Sequence, residues 1–476
     1  MSPAKVISAW IQRRVRPMTV PLIVGCALLM QMLDATVITT ALPAMADDLG
    51  ESPVRMNIAM TAYLLSAAVF VPICGWAADR FGARRVFVLA IMLFTLSSVW
   101  CGLAQSLEQI IAGRFVQGFA GAMMVPVGRI VLLRTVPKSE LVRAISFLSL
   151  PALFGPILGP ALGGLLVTYT TWRWIFFMNV PIGVLGVYLV FRFIEKDGGG
   201  EPAPLDFVGF VLTGICMATL VFGFDLISHA DVEWPWIGGL LVLGLGSALL
   251  YYLHAQRRDK PILDFSLFKI QTFRTSIIGG NLCRLAIGAV PFLLAMQLQV
   301  AFGLSAVAAG MLTFSGAVGA LVMKFTAPHI YNRFGFRRAL VWNAWLLGFS
   351  IVANCLFTAQ TPHAVIVVVL LVSGFFRSLQ LTAVNSLTYA DIKPEQMGSA
   401  SGMASAAQQL AISMGVAVAA FSLKMSMTLR GVDKLEAIDV VPGYLLIALS
   451  SLISGWAFSR MSADAGKALL KKEKKA

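Results

Sequence analysis

The sequence predicts an all-α protein that crosses a membrane many times, and three observations predict this class. Of the 476 residues, 58% are hydrophobic and only 13% are charged, whereas soluble domains average about 25% charged residues. Apolar runs of bilayer-spanning length follow one another with short charged breaks, and the mean hydropathy is +0.82. The alternating segments of about ten residues that are typical of membrane β-barrels are not seen.

Fourteen apolar runs are long enough to cross a bilayer, which takes about 20 helical residues. A basic segment precedes the first run, at residues 1–18, and a basic tail follows the last, at 462–476. The predicted spans are 19–46, 54–77, 85–105, 108–133, 141–168, 173–194, 206–227, 235–255, 273–301, 305–329, 338–359, 362–389, 398–426 and 441–461.

The basic residues predict the orientation of these spans. The net charge is +14, and most Lys and Arg residues fall at the two termini and in the loops on the same side as the termini. The loops on the other side carry only Arg55, Arg173, Arg430 and Lys434. Because loops that stay in the cytoplasm are rich in Lys and Arg, both termini are expected to be cytoplasmic. The N-terminal segment has no small-residue cleavage site and is expected to be retained.

Several classes of function are disfavoured by what the sequence lacks. The basic residues cluster in short loops, so the charge does not indicate nucleic acid binding. The six cysteines all fall within apolar spans and have no metal-ligand spacing, so we expect no metal. We find no Ser/His/Asp set for catalysis, no phosphate-binding loop and no charged ring or filter loop of a channel.

One loop sequence occurs twice. "GWAADRFGARRVFVLA" at 75–90 is repeated weakly as "HIYNRFGFRRALVWNA" at 329–344. Such a duplication predicts two parallel repeats of six spans, an arrangement that secondary transporters use. The predicted division is therefore an N-terminal half at 19–198, two extra linker helices at 199–262 and a C-terminal half at 263–461.

Four motifs stand in order along the first half: "LDATVITTALP" (33–43), "GWAADRFGARR" (75–85), "RFVQGFAGAMMVPVGR" (114–129), and "GPILGPALGG" (155–164) with "WRWIFFMNVPIG" (172–183) after it. With them the chain resembles the fourteen-span drug:proton antiporter branch of the major facilitator superfamily. Within that branch it is similar to the MdtD/HsrA-type multidrug exporters of bacteria. Thr39 stands where this branch usually has Asn.

The resemblance implies the major facilitator fold, with two six-helix halves plus two inserted helices, in a bacterial inner membrane. It also implies an exporter that works by alternating access and exchanges protons for its substrate. On this interpretation the partners are a small-molecule substrate, protons and membrane lipids. No nucleic acid and no cofactor are expected, since the proton gradient supplies the energy, and the protein is expected to act as a monomer.

Asp34 lies in the middle of the first span, roughly 20 Å from its cytoplasmic start at 1.5 Å per residue. An ionisable group at that depth is costly unless it is paired or hydrated, which makes Asp34 a functional candidate. The resemblance makes Arg114, the arginine of the span-4 motif, its expected partner, since spans 1 and 4 are neighbours in the family. We interpret the two as the proton-coupling residues. The alternative is a purely structural ion pair.

Candidates for the substrate cavity come from both halves. Gln31, Thr36 and Gln117 could supply hydrogen bonds near Asp34, although they could equally be polar residues that serve packing alone. The spans hold more bases than acids, and this balance favours neutral, zwitterionic or anionic amphiphiles over dications. Alternatively, these bases pair with backbone carbonyls or lipid headgroups. The second-half candidates are Arg284, Gln297, Arg377 and Asn385.

The span 2–3 loop is expected to act as a conformational latch, as the resemblance implies. Its glycines permit a tight reversal, and Asp79 could face the positive N-terminal end of a neighbouring helix. The alternative, ordinary positive charge on the cytoplasmic side, accounts for the arginines but not for Asp79. In the second copy Asn332 replaces this acid, so a weaker latch is expected there. The predicted latch residues are Gly75, Asp79, Arg80, Gly82, Arg84 and Arg85.

"GPILGPALGG" predicts a packing element without chemistry. Gly155, Gly159 and Gly163 recur every four residues and so share one helix face, where small residues let helix backbones approach closely in lipid. Pro156 and Pro160 each remove a backbone hydrogen bond and favour a kink. The resemblance adds Gly164 to this antiporter motif and implies that the stripe lies between the two halves.

The function predicted from the sequence is therefore secondary active transport, and no enzyme activity is expected. The first hypothesis is a proton-coupled exporter of small amphipathic compounds. The second is a transporter specific for one metabolite or for an anionic or zwitterionic lipid. A membrane sensor or membrane enzyme is the alternative from another class.

Overall fold

The computed structural model of the chain describes residues 3–195, 204–227, 233–432 and 434–470. Parts of the predicted linker and of the basic tail lie outside this description. It also leaves out the side chains at 3–18, 53, 54, 152, 153, 156, 157, 160, 161 and 306. The described residues form α-helices joined by short turns, with no strand among them. The protein is all-α, as the sequence predicts.

The helices of the first half of the chain begin with a long one. They are α1 (Pro3–Leu49), α2 (Pro53–Phe70), α3 (Cys74–Phe81), α4 (Ala83–Leu103), α5 (Leu107–Thr135), α6 (Leu141–Tyr169), α7 (Trp174–Phe177) and α8 (Asn179–Phe193).

The second half of the chain contributes eight more. They are α9 (Phe207–Ile227), α10 (Trp234–Ala255), α11 (Gln271–Ala295), α12 (Ala306–Phe334), α13 (Phe336–Ala353), α14 (His363–Leu387), α15 (Met397–Arg430) and α16 (Val441–Ser459). A π-helical segment, Met296–Ala301, directly continues α11.

Thirteen stretches of helix in the described part of the chain are long and apolar enough to cross a membrane. They correspond to thirteen of the fourteen predicted spans. The remaining prediction, 141–168, coincides with α6, which at 29 residues also has the length of a span. The chain is therefore a multi-pass membrane protein.

Serine side chains determine where several helices begin. Ser52, Ser106 and Ser305 precede α2, α5 and α12, and each hydroxyl accepts a hydrogen bond from the backbone N–H three residues further on. The first N–H groups of a helix have no partner within the helix, so a hydroxyl at this position satisfies one of them. These caps place the short turns between successive spans.

The described chain divides into two compact units. The first comprises 1–218, 248–264 and 393–405, and the second comprises 219–247, 265–392 and 406–476. In the first unit α1 packs mainly on α6, and α5 packs on α2 and α4. In the second unit α12 packs on α14, and α16 packs on α11 and α13. The predicted boundaries of two halves and a linker stay a prediction.

The glycine stripe of α6 lies against α1 inside the first unit. A Cβ added at Gly155, Gly159 or Gly163 would overlap Met32, Thr36 or Thr40 respectively, so only glycine permits this approach. The contact positions advance by four residues along both α1 and α6, which is the pattern of two parallel helices whose backbones lie close together. The glycine spacing thus permits close packing on α1, and the placement of the stripe between the two halves stays a prediction. A Cβ added at Gly164 would meet no atom within 4 Å. The side chains of Pro156 and Pro160 lie outside the described residues.

Asp206 ties together the adjacent ends of the two inserted helices in the first unit. Its Oδ1 accepts a hydrogen bond from the Gly209 N–H at 3.0 Å, which caps the start of α9. The same oxygen lies 2.7 Å from Nε2 of His254 at the end of α10. The side chain of Asp206 is almost completely buried. This contact holds α9 and α10 as a pair at one end.

Candidate functional site

A buried ion pair joins the first and fifth helices. Arg114 Nη1 lies 2.5 Å from Asp34 Oδ2, so the guanidinium donates to the carboxylate. Asp34 is 3% exposed and Arg114 is 1% exposed. The structure therefore brings together the two residues that the sequence predicts to be proton-coupling. Their role in coupling stays a prediction.

Two amides complete the surroundings of the Asp34 carboxylate. Gln117 Nε2 donates to Asp34 Oδ1 at 3.0 Å, and its Oε1 accepts from Arg114 Nη1 at 2.7 Å. Asn179 Nδ2 donates to the same Asp34 oxygen at 3.1 Å and lies 3.0 Å from Ser98 Oγ, to which it also donates. Both amides are completely buried. Each carboxylate oxygen is thus hydrogen-bonded, which a buried charge requires.

Tyr63 covers the guanidinium from α2. Its ring centroid lies 4.4 Å from Arg114 Cζ, a cation–π distance. The Tyr63 hydroxyl accepts a hydrogen bond from Gln31 Nε2 at 2.8 Å. Gln31 therefore reaches the ion pair through Tyr63, whereas Thr36 bonds to backbone carbonyls at Met32 and Gly155 and belongs to the α1–α6 contact. We call the set Gln31, Asp34, Tyr63, Ser98, Arg114, Gln117 and Asn179 the α1–α5 polar site.

The glycines of the span-4 motif explain how α2 comes so close. A Cβ added at Gly118 would overlap the Tyr63 carbonyl, and one at Gly121 would lie 2.9 Å from the Tyr63 hydroxyl oxygen. Gly183 likewise lets α8 approach Thr95 of α4, one turn after Asn179. The glycines therefore position the side chains that surround Arg114, and they do so by permitting close helix packing.

Tyr63, Ser98 and Asn179 were not among the residues predicted for this site. Asn179 had a signal, because it lies in the "WRWIFFMNVPIG" segment and is a polar residue within an apolar stretch. Tyr63 and Ser98 had none, since their contribution depends on which faces of α2 and α4 meet α5. Spacing along one helix does not reveal that.

The second unit holds the remaining cavity candidates, and two of them meet. Arg284 Nη2 donates to Asn385 Oδ1 at 2.6 Å, and Nη1 donates to Asn281 Oδ1 at 3.1 Å. Arg284 is 2% exposed. This pair joins α11 to α14 through a charged donor and amide acceptors.

Gln297 packs inside the second unit, and its assignment to the substrate cavity stays a prediction. It is fully buried, its Nε2 donates to the Asn354 carbonyl at 3.0 Å, and its Oε1 accepts from the Tyr444 hydroxyl at 3.0 Å. Gln299, two residues further on, lines a cavity. Both lie in the π-helical segment Met296–Ala301, whose wider turn shifts the faces that a regular α-helix would present.

Arg377 lines that cavity, which has a volume of about 240 Å³ and lies between α11, α12 and α14. Close packing of α12 and α14 forms one wall, where a Cβ at Gly374 would overlap the carbonyl of Gly316. Lys324 lies further along α12, is 7% exposed, and donates to Thr382 Oγ1 at 2.9 Å.

The predicted latch residues take different positions. Asp79 Oδ1 accepts from Arg134 Nη2 at 2.7 Å, and a Cβ added at Gly398 would overlap the Asp79 carboxylate. A Cβ added at Gly75 would overlap the Gly398 carbonyl, so the two backbones lie in close contact. The acid therefore lies beside the first turn of α15, within the first unit, and Arg80 and Arg85 are exposed.

The repeated loop contains RFGARR at 80–85 and RFGFRR at 333–338, which we call the RFGxRR loops. The two copies share a glycine turn and an arginine contact. Gly82 and Gly335 have φ of 87° and 72°, a region that favours glycine, and each allows one helix to end and the next to begin. Arg84 Nη2 donates to the Phe191 carbonyl at 3.0 Å, and Arg337 Nη2 donates to the Ser459 carbonyl at 2.7 Å. Each arginine thus satisfies a carbonyl at the end of the last helix of its repeat.

Comparison with known structures shows the fold. The human organic anion transporter MFSD10 (TETRAN) superposes with a TM-score of 0.63 at 15% identity, covering 93% of this chain and 99% of that chain. The proton:xylose symporter XylE, bound to 6-bromo-6-deoxy-D-glucose, superposes with a TM-score of 0.62 at 14% identity, covering 96% and 100%. Both are proteins of similar fold with distant sequences.

Comparison of sequences shows the family. The chain is 37% identical over 406 residues to the "Putative multidrug resistance protein MdtD" of Salmonella heidelberg (strain SL476), which covers 85% of this chain and 86% of that protein. A protein of the same name from Escherichia coli O6:H1 is 37% identical over 403 residues, or 84% and 85%. The Major Facilitator Superfamily model matches residues 24–416. The chain is therefore a transporter that belongs to the Major Facilitator Superfamily.

Proposed function

We propose that this transporter exports small amphipathic compounds in exchange for protons, by alternating access. The observation that carries the proposal is the Asp34–Arg114 pair, buried in the middle of spanning helices. A carboxylate can take up a proton, and a protonated Asp34 no longer attracts the guanidinium as an anion does. Proton uptake would therefore change how α1 and α5 are held together.

The surroundings of Asp34 support a role beyond structure alone. Replacing a buried ion pair by apolar residues is often neutral or stabilising, so stability by itself is a weak reason to retain one. Two amides and a tyrosine ring surround the pair. Each proton that enters the cell adds ~2.3 kcal/mol per 100 mV of membrane potential. That energy is available to drive export.

The latch residues support the alternating-access part of the proposal. Asp79 lies at the first turn of α15, where the positive end of a helix favours a carboxylate. We propose that this contact stabilises one access state and is released in the other. The relatives named for multidrug resistance support drugs as substrates. A bacterial inner membrane with both termini cytoplasmic, no cofactor, and a monomer surrounded by lipid complete the proposal.

Purified protein in liposomes tests the proton coupling. A pH-sensitive dye inside the vesicles reports proton movement when a candidate compound is added. Wild type is expected to move protons only with substrate, and Asp34→Asn is expected to abolish this movement. Asp48→Asn is the matched control, since Asp48 is also on α1 and pairs with Arg173 at 2.6 Å but is exposed. Substrate transport without proton movement in wild type would contradict antiport.

A transporter specific for one metabolite or lipid is the second candidate, and the cavity at Arg377 favours it. A positively charged recess suits one class of anionic compound better than a broad range of cations. Competition among structurally unrelated compounds in the same liposomes separates the two candidates. A single chemical class that competes would favour the specific transporter, and many classes would favour the drug exporter.

A further inference from the structure

The cavity of the second unit combines one charge with apolar walls. Val290, Pro291, Leu294 and Leu370 are apolar wall residues, and Gln299, Thr313, Ser373 and Arg377 are the polar ones. No acidic residue is among the described side chains that line it. The cavity is open on one side, since Pro291, Gln299, Gly310 and Thr313 are exposed.

Arg377 is the one charged group among the described residues of this lining. Among the described residues no side chain or carbonyl forms a hydrogen bond or ion pair with its guanidinium, which is only partly exposed. Its neighbour on the α12 side is Gly316, where an added Cβ would lie 4.0 Å from Nη2. A guanidinium removed from bulk water without a partner is costly, and an anion that enters the cavity would offset that cost.

The size of the cavity limits what it holds. Binding sites for complete small ligands usually measure about 300–1,000 Å³, and this cavity has about 240 Å³. It therefore suits the charged end of a larger compound, together with a few adjoining carbon atoms. A guanidinium binds carboxylate or phosphate with two parallel N–H donors, which fixes the orientation of that end.

We propose that this cavity is an anion subsite that binds the carboxylate or phosphate end of an amphiphilic compound through Arg377. The inference rests on the proposed function, since it names the substrate class of the exporter. Thr313, Ser373 and Gln299 supply further hydrogen-bonding groups, and the apolar wall receives the adjoining carbon atoms.

Three probes of equal size test the preference for anions. Benzoate, benzamide and benzylamine are titrated against the full-length protein in phosphatidylcholine nanodiscs, with phenyl phosphate as the second anion. Because bonds to a charged group are stronger than neutral ones, benzoate is expected to bind at least about tenfold more tightly than benzylamine. Benzylamine binding as tightly as benzoate overturns the proposal, and so does the absence of any anion binding.

Two variants locate the binding. Arg377→Gln is expected to lose at least about tenfold in benzoate affinity, because it removes the charged donor. Its control is Lys424→Gln, which also removes one positive charge from the second unit, at the Trp234 ring 5.4 Å from Nζ. Gly310→Leu fills the cavity mouth without a clash, since an added Cβ there meets nothing within 4 Å. Gly246→Leu is its control on α10, where the surroundings are equally open.

Benzoate affinity that is unchanged in Arg377→Gln or in Gly310→Leu overturns the proposal. Repeating the titration in phosphatidylglycerol nanodiscs identifies the source of the anion. Competitive weakening of benzoate there assigns the cavity to a lipid headgroup, and equal affinity in both discs assigns it to a free solute. Proton-coupled export without anion binding leaves the proposed function standing and removes this inference. Anion binding that depends on Arg377, without proton movement, supports this inference and contradicts the proposed proton coupling.

Discussion

The α1–α5 polar site and the cavity of the second unit differ in how they hold a buried charge. In the α1–α5 polar site Arg114 faces the Asp34 carboxylate, and amides and a ring surround the pair. In the second unit Arg377 lines an open cavity with no acid among the described residues of its lining, and Lys324 donates to a hydroxyl. A proton that binds Asp34 removes the negative charge that Arg114 faces. Arg377 has no such acid among the described residues of its cavity, so an anion would have to come from a bound compound. In our two proposals, the proton binds in one unit and the substrate anion binds in the other.

Breaking the balanced pair should have the largest effect. Arg114→Ala leaves the Asp34 carboxylate buried without its cation, which we expect to lower the free energy of unfolding by roughly 3–5 kcal/mol. The double variant with Asp34→Asn should regain much of this loss, because no unpaired charge remains. Thermal unfolding in detergent measures both. Arg55→Ala is the control, since its pair with Glu51 is exposed and should contribute at most ~1 kcal/mol.

Removing one amide should have an intermediate effect. Asn179→Ala deletes the donor that joins Asp34 to Ser98 and leaves Asp34 Oδ1 with Gln117 as its one amide donor. We expect a loss of about 1.5–3 kcal/mol, because a hydrogen bond to a charged group is lost. Thermal unfolding of Asn179→Ala, of Asp34→Asn and of the double variant measures the coupling between the two side chains. If the losses of the two single variants add up to the loss of the double variant, Asn179 acts independently of the carboxylate and the network interpretation fails.

A smaller effect is expected at the tyrosine. Tyr63→Phe keeps the ring over Arg114 but leaves Gln31 Nε2 without its acceptor, and should reduce stability by about 0.5–1.5 kcal/mol. Tyr63→Leu should cost more, because it also removes the cation–π contact. Equal unfolding temperatures for the two variants would show that the ring contributes nothing to Arg114.

The smallest effect on stability is expected in the second unit. Arg377→Gln removes a base that has no partner among the described residues, so the unfolding temperature should stay unchanged or rise. Thermal unfolding of Arg377→Gln beside Arg114→Gln sharpens the comparison between units. A large loss in Arg377→Gln would mean that this arginine holds the fold together, and the contrast would disappear.

Much of this arrangement could be predicted from the sequence, and particular residues show why. Asp34 and Arg114 stand out because charge is rare within spans, and the spacing of Gly155, Gly159 and Gly163 specifies one helix face. The partner of that face was not predictable from spacing, nor were Tyr63 and Ser98, since both depend on how helices pack. The contacts of Gln297 were not predictable either, because this residue lies in the π-helical segment Met296–Ala301, whose wider turn shifts the faces that a regular helix would present.

The arginines of the RFGxRR loops have a mechanical consequence. Arg84 fastens the start of α4 to the end of α8, and Arg337 fastens the start of α13 to the end of α16. Each arginine thereby links the start of one spanning helix to the end of another that lies more than 100 residues away in the sequence, so loss of the arginine should loosen these two helix ends together.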